Sequence, residues 1–113
     1  MYKDTNCGDP RETTVGEQIT IAGWVHRRRD HGNLIFIDLR DRSGLMQVVF
    51  NPEYGTQAHD LAQSLRSEWV VQVTGKVVSR LPGAENPDLP TGAVELSATD
   101  LVVLNQSITP PFE

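Results

Sequence analysis

The sequence predicts an all-β domain, a five-stranded Greek-key barrel with one short α-helix between the third and fourth strands. Three observations support this fold class. Apolar and polar residues alternate over five segments, as they do in half-buried strands. One stretch with helical periodicity lies between the third and fourth segments. A glycine also interrupts the first and the fourth segment, where a closed sheet must bend.

The predicted elements follow one another in order along the chain. The strands begin near Ile19, Leu34, Leu45, Trp69 and Ala93. Turn-forming residues at 29–33 and 41–44 connect the first three strands into a meander, and the loop 81–92, with three prolines, connects the last two. Between strands three and four, the spacing i, i+3, i+4, i+7 predicts an amphipathic helix that ends near Arg66. Its apolar residues are Ala58, Leu61, Ala62 and Leu65.

Small closed barrels of this kind are typical oligonucleotide-binding (OB) folds. A chain of 113 residues fits one such domain, with a core that needs neither disulfides nor metals. We expect an N-terminal lead-in at 1–16, the OB-fold domain at 17–105 and the start of a linker at 106–113. Cys7 is the single cysteine, and we find neither a signal peptide nor an apolar stretch that could span a bilayer. We therefore expect a cytoplasmic protein without a membrane partner.

Charge is distributed unevenly along the chain. The formal net charge of −5 argues against a protein that coats nucleic acid through bulk positive charge. Five of the eight arginines nevertheless fall within residues 27–42, so a local anion site is compatible with the acidic composition. These five are Arg27, Arg28, Arg29, Arg40 and Arg42.

Phe36 is the most informative single residue. Alternation along the second strand places it on the outer face, beside charged residues. Barrels of this type bind nucleic acid across strands two and three, and a base stacked on an aromatic ring contributes about 1–3 kcal/mol without any sequence requirement. The alternative is structural: the alternation has slipped, or the helix covers the ring.

Gln47 and Glu95 occupy outer positions of strands three and five and could give a stacked base its identity. Uracil presents an N3 donor between two carbonyl acceptors, whereas the N3 of cytosine is an acceptor. A carboxylate that accepts from N3, with an amide that donates to a carbonyl, would therefore select uracil. Spacing alone, however, favours two solvated polar residues.

The run Arg27 to Arg29 straddles both faces of a strand end, so the three side chains cannot all point the same way. Their position near Phe36 favours phosphate contact or stacking of a guanidinium on a base. The alternative is a solvated charge run paired with nearby aspartates, which would contribute little stability. Those aspartates are Asp30, Asp38 and Asp41.

The sequence carries no convincing catalytic or metal-binding motif. His26 and His31 with Asp30 come nearest to a cluster, but no third ligand follows at a usual spacing, so exposed turn residues are the better interpretation. A nucleophile elbow, a P-loop and a carboxylate pair are likewise missing from the sequence. We expect no catalytic residue and no metal ligand in this chain.

The chain resembles a known family over almost its whole length. The segment "GWVHRRRDHGNLIFIDLRDRSGLMQVVF", together with "VTGKV" and "GAVEL", closely resembles the N-terminal anticodon-binding domain of bacterial aspartyl-tRNA synthetases. The related asparaginyl and lysyl enzymes share only its looser outline. The resemblance implies recognition of the aspartate tRNA anticodon, whose central uridine would be enclosed by Phe36, Gln47 and Glu95. It also implies that the arginine run and Arg80 contact the RNA backbone and flanking bases.

Two loop residues resemble a subtype of this family. His31 and Gly83 match the non-discriminating bacterial type, which also charges the asparagine tRNA and has both loops near the third anticodon base. Both are also ordinary loop residues. The resemblance thus favours a domain that accepts the aspartate and the asparagine anticodon.

The family's catalytic domain, which uses ATP and Mg²⁺, follows this module and has no counterpart in the chain. We expect an excised domain, or alternatively a free-standing paralogue, that binds tRNA but not DNA and has no active site of its own. We expect a monomer for this chain and a homodimer for the parent enzyme. Two other function classes stay open. They are a general single-strand binder and a protein-interaction barrel anchored by Phe36 and Trp24.

Overall fold

Five strands and one short α-helix form the body of the chain, which the computed structural model describes over residues 3–105. The strands are β1 (Gln18–His31), β2 (Leu34–Asp41), β3 (Gly44–Phe50), β4 (Val70–Ser79) and β5 (Val94–Asn105). Helix α1 (Thr56–Ala62) lies between β3 and β4, and a 3₁₀ turn at Glu12–Thr14 precedes β1. The strands close into a barrel in the order β1-β2-β3-β5-β4, which confirms the predicted fold class. The predicted linker at 106–113 lies outside the described residues.

One junction of the barrel differs from the others. β1 pairs antiparallel with β2 and β4, as do β2 with β3 and β4 with β5. β3 and β5 run parallel, and their pairing consists of Val48 with Leu96 and Val49 with Ser97. We call these two pairs the seam. Residues 47 and 95 lie one position before the seam on each strand, so their side chains come together on the outer surface of the barrel.

The predicted apolar strand faces form one core. The buried inward residues of β2 and β3 are Ile35, Ile37, Leu39, Met46, Val48 and Phe50. Each such side chain contributes roughly 1.5–3 kcal/mol when it leaves water. The alternation along β2 is therefore as predicted, and Phe36 lies half-buried on the opposite, outer face.

Helix α1 covers one end of the core but is shorter than predicted. Its segment buries Ala58, Ala62 and Leu65. The prediction was wrong for Leu61, which is 40% exposed, and the helix ends about one turn earlier than expected. The cause is tertiary: the carbonyls of Gln63 and Leu65 accept hydrogen bonds from the Arg28 guanidinium, at 2.7 and 2.9 Å, instead of serving a further helical turn.

Strand β1 runs farther than predicted. The expected turn at 29–33 is wrong, because β1 continues to His31 and leaves only residues 32 and 33 to form the turn. A register shift between Val25 and Arg27 takes His26 out of the pairing and allows the rest of β1 to pair with the first half of β2. The arginine run therefore lies within a paired strand, which fixes the face of each arginine.

Gly23 and Gly75 lie where neighbouring strands approach closely. A Cβ atom at Gly23 would clash with the carbonyl oxygen of Arg40, and one at Gly75 with that of Ser97. Any side chain at either position would push the strands apart. These are the two strand-interior glycines from which a bent, closed sheet is predicted.

The N-terminal lead-in packs against the turn between β2 and β3 through Asp41. The Asp41 carboxylate accepts hydrogen bonds from the backbone N–H groups of Cys7 at 2.9 Å and of Ser43 at 2.8 Å. It also accepts from the Ser43 hydroxyl at 2.6 Å and from the Gly44 N–H at 3.3 Å. We call these four residues the Asp41 cluster. Cys7 is fully buried, so the lead-in belongs to the folded body, and the domain boundary at residue 17 stays a prediction.

Burial and hydrogen bonding act in opposite directions in this cluster. Burial tends to raise the pKa of Asp41, but the hydrogen bonds from Cys7 and Ser43 outweigh it, and that pKa is lowered. Burial and the neighbouring carboxylate also raise the pKa of the Cys7 thiol. The cluster therefore holds an ionised aspartate beside a neutral cysteine.

Candidate nucleic-acid interface

Three rows of side chains cross the outer face of β1, β2 and β3, since directly opposed residues of antiparallel strands share a face. The rows are Arg29–Phe36–Val49, Arg27–Asp38–Gln47 and Trp24–Arg40–Leu45. The first two rows hold four of the predicted site residues. The structure therefore places the predicted aromatic platform, two arginines and the predicted amide on one surface.

Gln47 and Glu95 are hydrogen-bonded to each other. The Gln47 Nε2 atom donates to Glu95 Oε1 at 2.8 Å, beside the seam of β3 and β5. Gln47 is 8% exposed. Burial raises the pKa of Glu95, although the Gln47 hydrogen bond and the Arg80 charge act against it. The pair is partly buried, so the alternative of two solvated polar residues is wrong. The second hydrogen of the Gln47 amide and the Oε2 atom of Glu95 are not used in the bond between them.

Arg29 connects this pair to Phe36 and Asp38. Its Nη2 atom donates to Gln47 Oε1 at 3.1 Å and to Asp38 Oδ1 at 3.3 Å. Its guanidinium carbon lies 6.0 Å from the centre of the Phe36 ring, within reach of a cation–π attraction. Arg29 thus lies over the surface on which a base would stack.

An open groove of about 600 Å³ lies over these residues. The predicted site residues that line it are Arg29, His31, Phe36, Gln47 and Arg80. Ala84 and Asn86, from the loop between β4 and β5, line it as well. The groove combines an aromatic ring, two guanidinium groups and an amide, which are the groups that bind bases and phosphates.

Arg80 is a buried cation of the groove, with 7% of its surface exposed. Its Nε donates to the Val94 carbonyl at 3.0 Å and its Nη1 to the Ala84 carbonyl at 3.4 Å, while its Nη2 has no hydrogen-bond partner within residues 3–105. Burial lowers the pKa of Arg80, and the charges of Glu95 and Asp38 act to raise it. A buried donor without a partner is unfavourable, so an acceptor supplied by a ligand would be stabilising here.

Four predicted site residues lie outside the groove lining, and one of them, Glu95, lines a neighbouring cavity of about 550 Å³ instead. Arg28 is the register partner of buried Ile37 and so lies on the inner side of β1, where its guanidinium binds Asp30 at 2.9 Å and the end of α1. Arg27 is exposed in the second row, and its side chain makes no hydrogen bond or ion pair with another described residue. Gly83 is exposed beside the groove residue Ala84 and has a φ of +88°, which favours glycine for conformational reasons alone.

The alternative of arginine–aspartate pairing holds for part of the run. Arg28 pairs with Asp30, and Arg29 with Asp38 at 3.3 Å. Asp30 and Asn86 also line the groove, and Asp38 lies in the second row beside it, but the sequence predicts none of these three as a site residue. Asp38 carries a weak signal, because alternation puts it on the same face as Phe36, whereas nothing in the sequence distinguishes Asn86 from other loop residues.

The described part of the chain offers no metal centre. Within residues 3–105, no group of three or more His, Cys, Asp or Glu side chains could hold a metal ion. His26 lies in the register shift of β1 and His31 at its end, on separate surfaces of the hairpin. None of the helices formed by these residues is both long and apolar enough to cross a membrane.

Comparison with known proteins agrees with the predicted fold. The tRNA anti-codon model of OB-fold nucleic acid binding domains matches residues 19–104. The chain belongs to this family. It is 55% identical to the aspartate–tRNA(Asp/Asn) ligase of Rubrobacter xylanophilus, over 99% of this chain and 18% of that protein. It is 53% identical to the ligase of the same name from Bacillus subtilis, over 94% of this chain and 18% of that protein.

The family member described here therefore spans less than a fifth of the length of these relatives. Among solved structures, it is similar to the asparaginyl-tRNA synthetase of Pyrococcus horikoshii, with a TM-score of 0.79 and 24% identity. That alignment covers 100% of this chain and 25% of the synthetase chain. At this identity the likeness concerns the fold alone.

Proposed function

We propose that this OB-fold domain binds the anticodon loop of the aspartate tRNA, and of the asparagine tRNA, as the anticodon-binding part of an aspartyl-tRNA synthetase that joins aspartate to tRNA with ATP. The Gln47–Glu95 pair beside Phe36 carries the proposal, because it offers an amide donor and a carboxylate acceptor next to an aromatic ring. The names of the relatives, which include both tRNAs, support it. The catalytic activity belongs to the parent enzyme.

The central uridine of the anticodon would stack on Phe36. The N3–H of uracil would donate to the Glu95 carboxylate, and the free amide hydrogen of Gln47 would donate to a uracil carbonyl. With Gln47 facing the uracil O4, cytosine would place its N3 acceptor against the carboxylate and its amino donor against the amide, and both partners would lose their hydrogen bond. Leaving one buried polar group unpaired costs about 1–3 kcal/mol, which is enough to select uracil.

The cations of the groove would bind the RNA backbone. Arg29 and Arg80 line the groove, and exposed Arg27 lies in the neighbouring row. Arg80 would give its unpaired Nη2 to a phosphate or a base carbonyl. The third anticodon base would lie between His31 and the loop that contains Gly83. Arg28, whose donors are used within the protein, is not part of the proposed contact surface.

Binding of anticodon stem-loops tests this function. We expect the domain to prefer loops with the anticodons GUC and GUU over GCC, in which cytosine replaces the central uridine, at one fixed low salt concentration. Similar affinities for GUC and GUU would support acceptance of both tRNAs. Equal binding of all three would favour a general single-strand binder, and no binding would favour a protein-interaction barrel.

The substitution Phe36→Ala sharpens this test. Loss of the stacked base should weaken binding of GUC by about 1–3 kcal/mol, roughly five- to 150-fold. The control is Leu61→Ala, which removes an apolar side chain that is 40% exposed and lines neither the groove nor the cavity that contains Glu95. Equal losses for the two variants would contradict the role of Phe36.

A further inference from the structure

Asp38 is an anionic side chain in the middle of a surface that would bind a polyanion. It lies in the second row, between Arg27 and Gln47, and its side chain is 17% exposed. A carboxylate at this position repels phosphate groups. Its described hydrogen bond goes to the Arg29 guanidinium, at 3.3 Å.

Asp38 begins a chain of hydrogen bonds that reaches Glu95. Arg29 Nη2 donates both to Asp38 Oδ1 and to Gln47 Oε1, and Gln47 Nε2 donates to Glu95 Oε1. A guanidinium can only donate and a carboxylate can only accept. Arg29 on one side and Glu95 on the other therefore hold the Gln47 amide in one orientation, with its oxygen toward Arg29 and its nitrogen toward Glu95.

The orientation of this amide decides which base fits. With Nε2 forward, Gln47 donates to a carbonyl of uracil. With the amide turned over, Oε1 would instead accept from the exocyclic amino group of cytosine. A bound base can use the Glu95 Oε2 and leave the Gln47 bond to Oε1 in place, so the contact with Arg29 is the second restraint that keeps the amide from turning over.

We propose that Asp38 is a positioning residue: it holds Arg29 against Gln47 and so preserves the selection of uracil over cytosine. This inference rests on the proposed function. Asp38 touches no base. It acts through the Arg29 guanidinium, whose Nη2 atom donates to both Asp38 and Gln47 in directions fixed by the planar group. A lysine ammonium rotates and does not fix these directions.

The test is a double-substitution cycle on Asp38 and Arg29, read as the ratio of dissociation constants for the GCC and GUC stem-loops. We expect Asp38→Asn to lower this ratio at least about threefold, mainly through tighter binding of GCC. In the Arg29→Ala background, the same substitution should leave the ratio unchanged. Asp100→Asn, which removes an exposed carboxylate of β5 outside the groove, should leave the ratio at its wild-type value.

Each outcome separates this inference from the function on which it rests. A wild-type ratio in Asp38→Asn, with both loops bound more tightly to the same extent, would mean simple charge repulsion and overturn the inference alone. If each substitution lowered the GCC to GUC ratio by its own independent factor in the double variant, the inference would also be overturned, because Asp38 would then act without Arg29. A wild-type domain without any preference for GUC would overturn the proposed function first, and the inference with it.

The variant Arg29→Lys keeps the inference testable if Asp38→Asn does not fold. It retains the positive charge but replaces the planar donor by a freely rotating ammonium, and it should lower the ratio to a similar extent. A ratio unchanged in Arg29→Lys would contradict the proposed route from Asp38 to Gln47.

Discussion

The Asp41 cluster and the Gln47–Glu95 pair hold a partly buried carboxylate in opposite ways. Asp41 accepts hydrogen bonds from three backbone N–H groups and one hydroxyl, and its pKa is lowered in spite of burial. Glu95 accepts a hydrogen bond from one side-chain amide, and burial raises its pKa. The two carboxylates belong to one barrel, yet only the first has its hydrogen-bonding capacity nearly filled.

The difference separates a residue that stabilises the fold from one suited to binding a ligand. A carboxylate surrounded by protein donors has little capacity left for a base, so the Asp41 cluster can only stabilise the chain around it. Glu95 is desolvated without full compensation, and a donor from a ligand would supply what the protein does not. Incomplete hydrogen bonding in the free state is thus a mark of the binding surface, and the unpaired Nη2 of Arg80 repeats it.

The largest effect expected from this comparison is on stability, at Asp41. Asp41→Ala removes the acceptor of four hydrogen bonds and leaves the N–H of buried Cys7 without a partner. We expect the free energy of unfolding at neutral pH to fall by about 3 kcal/mol, while the preference for GUC over GCC stays unchanged. Urea denaturation measures the first and stem-loop binding the second. Asp9→Ala, an exposed aspartate of the same segment, is the control and should lose less than about 0.5 kcal/mol.

A smaller effect, on base selection and not on stability, is expected at Glu95. Glu95→Gln keeps the size of the side chain but replaces one acceptor by an amide, so the GCC to GUC ratio should fall about tenfold, or 1.4 kcal/mol. Stability should not decrease, because the substitution removes a charge that is unfavourable to bury. Glu53→Gln, at an exposed position, should change neither quantity. A marked loss of stability in Glu95→Gln without a change in the ratio would reverse the assignment of the two carboxylates.

The smallest expected effect is that Glu95 and Asp41 are protonated at different pH, so that base selection and stability are lost at different pH. The folded-state pKa of Glu95 is raised, so on acidification this carboxylate is protonated first, and that step favours the folded state while removing the acceptor for uracil N3–H. The folded-state pKa of Asp41 is lowered, so its contribution to stability is complete above the ordinary aspartate pKa and is lost as the pH falls through the folded value.

Selection of uracil should therefore decline a few-fold at a mildly acidic pH at which the barrel is still folded. Loss of stability from Asp41 should follow at lower pH. Stem-loop binding and urea denaturation over one pH series measure the two events. If both occurred together, or in the reverse order, the assigned pKa directions could not explain them.

Much of the fold follows from local patterns. The period-two alternation of β2 and β3 places Phe36 and Gln47 on the outer face, and the structure has the same arrangement. The errors concern long-range contacts. The register shift at His26 allows β1 to continue along β2, and the Arg28 guanidinium binds backbone carbonyls where a last turn of α1 was expected. Both features depend on residues that are distant in sequence.

The site could be predicted only where it follows from local patterns. Phe36 follows from alternation, whereas the partnership of Gln47 and Glu95 spans the parallel junction of β3 and β5, which no local pattern encodes. The resemblance to a known family supplied it. Alternation cannot tell Arg28 from Arg29 either, until the strand that contains them has a register.

The seam has a consequence for how such a domain can evolve. Two residue pairs close the barrel between β3 and β5, and the Gln47–Glu95 hydrogen bond extends that junction by one position. Under the proposed function, a substitution that changes base preference at 47 or 95 would therefore also alter the joint that closes the barrel. Exposed His31, at the end of β1, lies away from that joint, so under the proposed function inherited changes in tRNA preference would meet less resistance there.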